Sequence, residues 1–374
     1  MKSKNIYKIF LLSTGILVMA VSCPGIKDEL WSLPDFPGMG IGINIGNTLD
    51  SIGNFSWTAG ETGWGNPKIT QDFIKALKAH GYKTIRLPVT WAENIGAAPN
   101  YTITTTWMNR VEEVVGWIVG EDMNCILNLH HDGGTSDRSW ILGFENNEDV
   151  IGDMFVKVWQ QIAGRFKDYS DKLVLESMNE VGFNTGAQAE RYRKMNKLNQ
   201  LFVDTVRSSG SRNAERYLLI AGFWTDIDQT VNSLFQMPQD TIADKLIISV
   251  HYYTPSTFCI AETPDNSWGF KADWGNSATA AADTAELERQ FNKLKTRFID
   301  SNIPVIVGEY GVVKNQNKVE EGRIRWMAAV TQACLDYGMC PVLWDTGGEI
   351  SRYSPFEMSV SLRSVYDSLE LPEP

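Results

Sequence analysis

Leu173–Glu180 (Leu-Val-Leu-Glu-Ser-Met-Asn-Glu) and Pro304–Glu309 (Pro-Val-Ile-Val-Gly-Glu) are apolar runs that each end in a carboxylate. Each is short enough to be a buried strand of a parallel sheet and would deliver its acid where the strand emerges. Two acids so placed suit the hydrolysis of an acetal. One carboxylic acid protonates the leaving oxygen, while a second carboxylate attacks the anomeric carbon or activates water to do so. Direct attack needs the pair about 5–5.5 Å apart, and the water route needs more room.

That chemistry also needs the two acids to differ in pKa, one neutral and one ionised. Arg86 is expected to hold Glu309 ionised by charge and hydrogen bonding, with Tyr253 donating to the same carboxylate. His251 is expected beside Glu180, where it tunes proton exchange. Asn179 is placed to grip a sugar hydroxyl next to the reacting carbon, with His130 and Asn47 as further hydroxyl contacts. Each residue also has a plain structural reading. A glutamate after Asn or Gly is often a surface residue or a helix start, and Arg86 alone would serve a structural ion pair.

His130-His131 raises the question of a metal. Adjacent residues on a strand point to opposite faces, so the two rings are not expected to share an ion from inside. No His-x-His or His-Glu-x-x-His spacing is present, and neither metal nor cofactor is expected. Of thirteen tryptophans, Trp64, Trp91, Trp140, Trp224, Trp268, Trp274 and Trp344 fall in predicted loops or at strand ends. Aromatic faces suit the apolar C–H surface of sugar rings. Trp344, beside the proposed acids, is the one assigned that role; the others are as well explained by packing.

The elements that must position these groups alternate along the chain. Strands are predicted at Ile41–Ile45, Thr84–Pro88, Cys125–His130, Leu173–Asn179, Tyr217–Ala221, Leu246–Tyr252, Pro304–Glu309 and Pro341–Trp344. Helical periodicity fills the intervals: Thr70–His80 closed by Gly81, a helix capped by Thr105 or Thr106, then Glu148–Asp168, Gln188–Ser208, Thr284–Asp300, Lys318–Tyr337 and Pro355–Leu369. The fifth interval, Trp224–Asp244, is only weakly helical. Eight strands with helices between them predict a single (β/α)8 TIM barrel of the α/β class, with its site at the C-terminal strand ends. Asn44, Asn47, Arg86, His130, His131, Asn179, Glu180, His251, Tyr253, Glu309, Tyr310, Trp344 and Asp345 all collect there. Three of the four histidines are in this set.

The chain has 374 residues, 43% of them hydrophobic, and a formal charge of −11. That charge argues against nucleic acid or an anionic membrane surface as the main partner and is compatible with a neutral polymer. Residues 1–22 read as an export signal: Lys2, Lys4 and Lys8, then apolar Ile9–Val21, then Ser22 and Cys23. The apolar stretch is too short to span a membrane comfortably. Cys23 resembles the acylated cysteine of a bacterial lipoprotein, although Ala20 stands where leucine is usual. Residues 23–37 are then a tether and 38–374 the catalytic barrel. The expected location is the outer membrane or cell surface by lipid anchor, with the periplasm or the medium as the alternative. Cys125, Cys259, Cys334 and Cys340 show no zinc-like spacing and are expected as buried free thiols. A monomer is expected.

The motifs Gly42-Ile-Asn-Ile-Gly-Asn-Thr-Leu-Asp50, Trp64-Gly-Asn-Pro67, Ile85-Arg-Leu-Pro-Val-Thr-Trp91, Asn128-Leu-His-His131, Ser177-Met-Asn-Glu180, His251-Tyr-Tyr253, Gly308-Glu-Tyr-Gly311 and Leu343-Trp-Asp345 occur in this order. Together they resemble glycoside hydrolase family 5, over residues 38 to 350. The resemblance implies a retaining mechanism with Glu180 as acid/base and Glu309 as nucleophile. It also implies Arg86, His130, Asn179, His251, Tyr253 and Trp344 as the rest of the usual active-site set. The Asn-Thr-Leu-Asp and Trp-Gly-Asn-Pro stretches with paired His130-His131 look like subfamily 4, whose members cut cellulose derivatives, mixed-linkage glucan and xyloglucan. Two departures are Asp132, where glutamate is also common, and Ile43, which replaces a frequent tryptophan. The expected activity is an endo-β-1,4-glucanase acting on β-glucan polysaccharide. Rivals are a dedicated xyloglucanase, a mannanase, and a non-catalytic surface glycan-binding lipoprotein, against which the full set of polar residues speaks.

Overall fold

The computed structural model describes residues 38–53 and 60–370. The predicted export signal, Cys23 and the tether lie outside them. Eight parallel strands close into a barrel in sequence order. They are β1 (Gly42–Asn44), β2 (Thr84–Leu87), β3 (Asn124–Asn128), β4 (Leu173–Glu176), β5 (Leu218–Ala221), β6 (Leu246–Tyr252), β7 (Val305–Tyr310) and β8 (Cys340–Leu343). The predicted (β/α)8 barrel is therefore the observed fold, and each predicted strand overlaps an observed one.

The helices are α1 (Gln71–Ala79), α2 (Thr105–Gly120), α3 (Glu148–Phe166), α4 (Gln188–Ser208), α5 (Ile227–Thr230), α6 (Ser256–Cys259), α7 (Ala280–Arg297), α8 (Glu320–Asp336) and α9 (Val360–Asp367). Thr70 caps α1 by accepting from Phe73 N–H. Gly81 (φ +96°) ends it, its N–H donating to Lys78 O while Tyr82 N–H reaches Leu77 O, the paired bonds of a Schellman stop. Helix boundaries differ from expectation in several places. Thr104, not Thr105 or Thr106, stands at the start of α2, and its hydroxyl donates to Asn94 rather than capping the helix. The last helix starts at Val360 rather than near Pro355, because Ser359 is the residue that caps it. The weak fifth interval holds only the single turn α5.

Two apolar layers result. The larger lies between barrel and helices; the smaller plugs the barrel's N-terminal half with Met39, Ile126, Val174, Tyr217, Leu219, Ile247, Ile306, Cys340 and Val342. Because side chains alternate along a strand, the residues two positions on from this plug point into the barrel higher up. Asn128, Glu176 and Ser249 stand there, two residues after Ile126, Val174 and Ile247. The apolar plug thus supports a polar layer beneath the mouth. The four cysteines of the described residues are buried and free, as expected.

One irregularity aims an acid. β6 and β7 pair Val250 with Val307 and then His251 with Glu309, so Gly308 is an extra residue in β7. Strict alternation after Ile306 would turn Glu309 outward. The bulge turns it into the barrel, a known use of bulges beside active sites. A side chain at Gly308 would press on Ser249 Oγ at 3.0 Å.

Candidate active site

Arg86 is fully buried and organises the polar layer. Its Nε donates to Glu176 Oε2 at 2.7 Å, Nη1 to Glu309 Oε1 at 2.7 Å and to Asn44 Oδ1 at 3.0 Å, and Nη2 to Asn179 Oδ1 at 2.7 Å. Only a guanidinium presents enough donors in one plane to hold four partners. Burial alone would lower its pKa, but the Glu176 and Glu309 carboxylates outweigh that and raise it. Glu176 also accepts from Asn128 Nδ2 at 2.9 Å and Ser249 Oγ at 2.8 Å. Asn44 is fixed from below, its Nδ2 donating to Gly308 O at 2.9 Å and Leu343 O at 3.2 Å.

Glu176 did not figure among the residues singled out from the sequence. Its signal was an acid inside an apolar strand, four residues before Glu180, at the same parity as buried Val174. It shares Arg86 with Glu309.

Above this layer the two predicted acids meet. His251 Nδ1 lies 2.9 Å from Glu180 Oε1 and 3.6 Å from Glu309 Oε2, and Tyr253 OH donates to Glu309 Oε2 at 3.1 Å. One oxygen of each glutamate and one nitrogen of His251 all fall within 4.8 Å of one another. Glu180 is at φ +46°, a left-handed conformation that swings its carboxylate back over the barrel. Its side chain is 41% exposed against 7% for Glu309, so Glu180 is the more open of the two acids.

The ordering of the two pKa values departs from the expectation. Burial pushes Glu309 up, with His251 and Arg86 pulling against it and Glu180 adding to it. Arg86 bonds two carboxylates, and burial outweighs its pull on Glu309. For Glu180 burial also raises the pKa, but the hydrogen bond and charge of His251, with Arg86 and His131, more than offset it and leave it lowered. Tyr253 is held neutral, its pKa pushed well up by burial and by the two acids.

Rings line one wall. Trp344 stacks on His130, centroids 5.6 Å apart and 7° from parallel; His130 meets His131 at 4.6 Å, and His131 meets Trp64 at 5.4 Å. Trp344 rests on Gly46, where a Cβ would come within 2.9 Å of the indole. The expectation that His130 and His131 face opposite ways is overturned: β3 ends at Asn128, so strand alternation no longer governs them. With Asp50 they form a trio of donor atoms within 4.8 Å. His131 Nε2 stands 3.9 Å from Asp50 Oδ2. Burial lowers the pKa of His131 to about 4 and that of His130 well below the usual value, so both rings are neutral donors or acceptors for hydroxyl groups.

Asn47 does not join the group bonded to the acids. Its N–H donates to Asp50 and its carbonyl accepts from Asn66 Nδ2 at 3.0 Å, so it shapes the turn after β1. Trp91 and Trp274 are buried, Trp91 donating to Asn128 O at 2.9 Å and Trp140 to Asp132 at 2.6 Å. These are packing residues. Burial, opposed by the N–H groups of Trp91 and Trp140, pushes the Asp132 carboxyl up to about 7. Of the seven, Trp64, Trp140, Trp224 and Trp344 are half-buried, Trp140 and Trp224 packing against the core, and Trp268 is exposed.

A barrel with two carboxylates converging from the ends of β4 and β7 over a buried arginine defines a class, the barrel glycoside hydrolases. The model of the cellulase family, glycosyl hydrolase family 5, matches residues 49–349. Endoglucanase A of Paenibacillus barcinonensis is 38% identical over 330 residues, covering 83% of this chain and 81% of that protein. A family 5 xyloglucanase from Paenibacillus pabuli superposes with a TM-score of 0.80 at 35% identity, over 88% of this chain and 98% of that one. A GH5-4 broad specificity endoglucanase from an uncultured bovine rumen ciliate gives 0.78 at 35%, over 88% and 94%. The chain belongs to glycoside hydrolase family 5.

Proposed function

We propose that the protein is a retaining endo-β-1,4-glucanase that cuts internal bonds of cellulose-type and mixed-linkage β-glucans, with Glu309 as nucleophile and Glu180 as acid/base. The observation that carries this is the spacing of the acids. Oxygens within 4.8 Å favour direct attack, because a water interposed for inversion needs carboxyls about 6.5–9.5 Å apart.

In the first half-reaction Glu309 attacks the anomeric carbon as Glu180 protonates the departing oxygen. In the second, Glu180 takes a proton from water as the ester to Glu309 breaks. The working state needs a neutral Glu180 beside an ionised Glu309. Protonation of Glu180, whose Oε1 lies 2.9 Å from His251 Nδ1, creates it. Glu309 then loses a neighbouring negative charge while keeping the bonds from Arg86 and Tyr253. Asn179, held by Arg86, presents its amide Nδ2 to the sugar. Trp344 and His130 supply the wall against which the ring lies.

Glu180→Gln should lower turnover of glucan by about 10²- to 10⁴-fold. Aryl cellobiosides with good leaving groups should lose much less in the first step, because such groups depart without a proton. Equal losses on both substrates would remove Glu180 from the acid role.

The substrate reading rests on the endoglucanase relatives and on the charge of −11, which suits a neutral polymer. Xyloglucan is the second reading, favoured by the similarity to the Paenibacillus pabuli xyloglucanase. The two separate on barley mixed-linkage glucan, carboxymethyl cellulose and xyloglucan assayed in parallel. Fast viscosity loss on the first two supports the general glucanase, and cleavage of xyloglucan alone replaces it. We also propose lipidation at Cys23 for surface attachment, on the strength of Lys2–Ser22. Radiolabelled palmitate should enter the wild type and not Cys23→Ala, and equal labelling of both would sink the assignment.

A further inference from the structure

The two adjacent histidines that strand alternation would have separated stand together, and a buried acid stands with them. β3 ends at Asn128, so His130 and His131 are free to come to one side, and Asp50 reaches them from the loop after β1. One donor atom from each of the three falls within 4.8 Å of the others. Two imidazoles and a carboxylate are a donor set that suits a divalent transition metal, zinc above all.

The trio is fixed from behind. Asp50 is buried, its Oδ2 accepting from Asn47 N–H at 3.0 Å and its Oδ1 from Thr48 N–H at 2.7 Å. The Thr90 hydroxyl donates to Asp50 O at 2.8 Å and accepts from His131 N–H at 3.2 Å, so one side chain couples the two backbones. His130 N–H donates to Val89 O at 2.8 Å, and its ring lies flat on Trp344. Outer contacts of this kind orient metal ligands before an ion arrives. Inside the trio one atom is left over. His131 Nε2 is buried with no hydrogen-bond partner among the described residues, and at 3.9 Å from Asp50 Oδ2 it is too far away to bond it. Zinc, with bonds of about 2.0–2.2 Å, holds tetrahedral ligands roughly 3.3–3.6 Å apart. This pair is therefore spaced more nearly for a shared ion than for a direct bond.

We propose that Asp50, His130 and His131 form a zinc site whose occupation inhibits the enzyme. The two imidazoles line the cleft with Glu309 and Trp344, so an ion there takes the nitrogens that would meet sugar hydroxyls and sets its own water where the ring lies. Ion and glucan exclude each other. The binding stands apart from the glucanase reading, and the inhibition rests on it. Glu180, His251 and Glu309 are the competing group of donors. They are already engaged, His251 Nδ1 with Glu180 at 2.9 Å and Glu309 with Arg86 and Tyr253.

The test is calorimetric titration of the full chain, without an added histidine tag, with zinc chloride, run beside zinc inhibition of mixed-linkage glucan hydrolysis. The wild type should take up one ion tightly and lose activity over the same range of zinc, KM rising while kcat holds. Asp50→Asn and His131→Ala, each read against its own zinc-free rate, should raise the zinc needed for half-saturation and half-inhibition by about tenfold or more. Glu180→Gln, which breaks the competing group, should bind zinc as the wild type does. Thermal melts identify the folded variants, and the two substitutions on different loops allow one to stand if the other does not fold. No saturable binding by the wild type up to about 1 mM zinc, binding unchanged in the Asp50 and His131 variants, or binding lost in Glu180→Gln overturns the site. Zinc bound at the trio with hydrolysis unaffected overturns the inhibition. A zinc-free wild type that cuts no glucan fails the glucanase reading alone, and the calorimetry still decides the site.

Discussion

Glu309→Ala should lower kcat on mixed-linkage glucan by about 10⁵-fold or more, the scale on which loss of a covalent nucleophile is felt. The structure gives the reason. Glu309 is buried and held by Arg86 at 2.7 Å and Tyr253 at 3.1 Å, and Glu176, which shares Arg86, lies in the layer below, engaged with Asn128 and Ser249. Glucan binding should persist, because the rings of Trp344, His130 and Trp64 are untouched. Azide added to the variant should enter the space left by the carboxylate and attack an aryl cellobioside from that side, giving the α-glycosyl azide. Activity at the wild-type level in Glu309→Ala would remove this residue from the mechanism.

The second large effect is on stability. Arg86→Met removes the single positive charge bonded to two buried carboxylates and should cost about 3–5 kcal/mol, the usual result of stranding one side of a buried pair. The cost should grow with pH. Burial already raises Glu309 against the pull of Arg86, and without Arg86 it moves further up. An acid whose pKa is higher folded than unfolded binds more protons in the folded state, so stability falls as pH rises through the interval between the two values. The variant should therefore melt closest to wild type near pH 4–5 and furthest from it at neutral pH. Thermal melts of both proteins across that range measure it. A difference that is constant with pH would mean that the arginine contributes by packing rather than by charge.

These effects trace back to features of unequal visibility in the sequence. The eight strands were readable because each is buried on both faces, and so appears as a short, mainly apolar run such as Leu218–Ala221. Glu180, Glu309, Arg86, Asn179, His251 and Tyr253 were readable because each interrupts such a run at its C-terminal end. Glu176 was hidden by sitting inside the run, where its partners Arg86, Asn128 and Ser249 come from three other strands. The bulge at Gly308 was also hidden, since a glycine before an acid has many explanations and only pairing with β6 reveals the extra residue. His130-His131 misled because alternation was applied beyond the point where β3 ends. Burial and Arg86 act in opposite directions on Glu309, a balance that no local pattern contains.

The most direct measurement is the configuration of the first product, followed by proton NMR during the first minutes of hydrolysis of a β-1,4-gluco-oligosaccharide. Two carboxylates with oxygens within 4.8 Å predict the β-anomer first, with the α-anomer appearing only by later mutarotation. Initial appearance of the α-anomer would mean a single displacement by water, and would contradict the assignment of Glu309 as nucleophile.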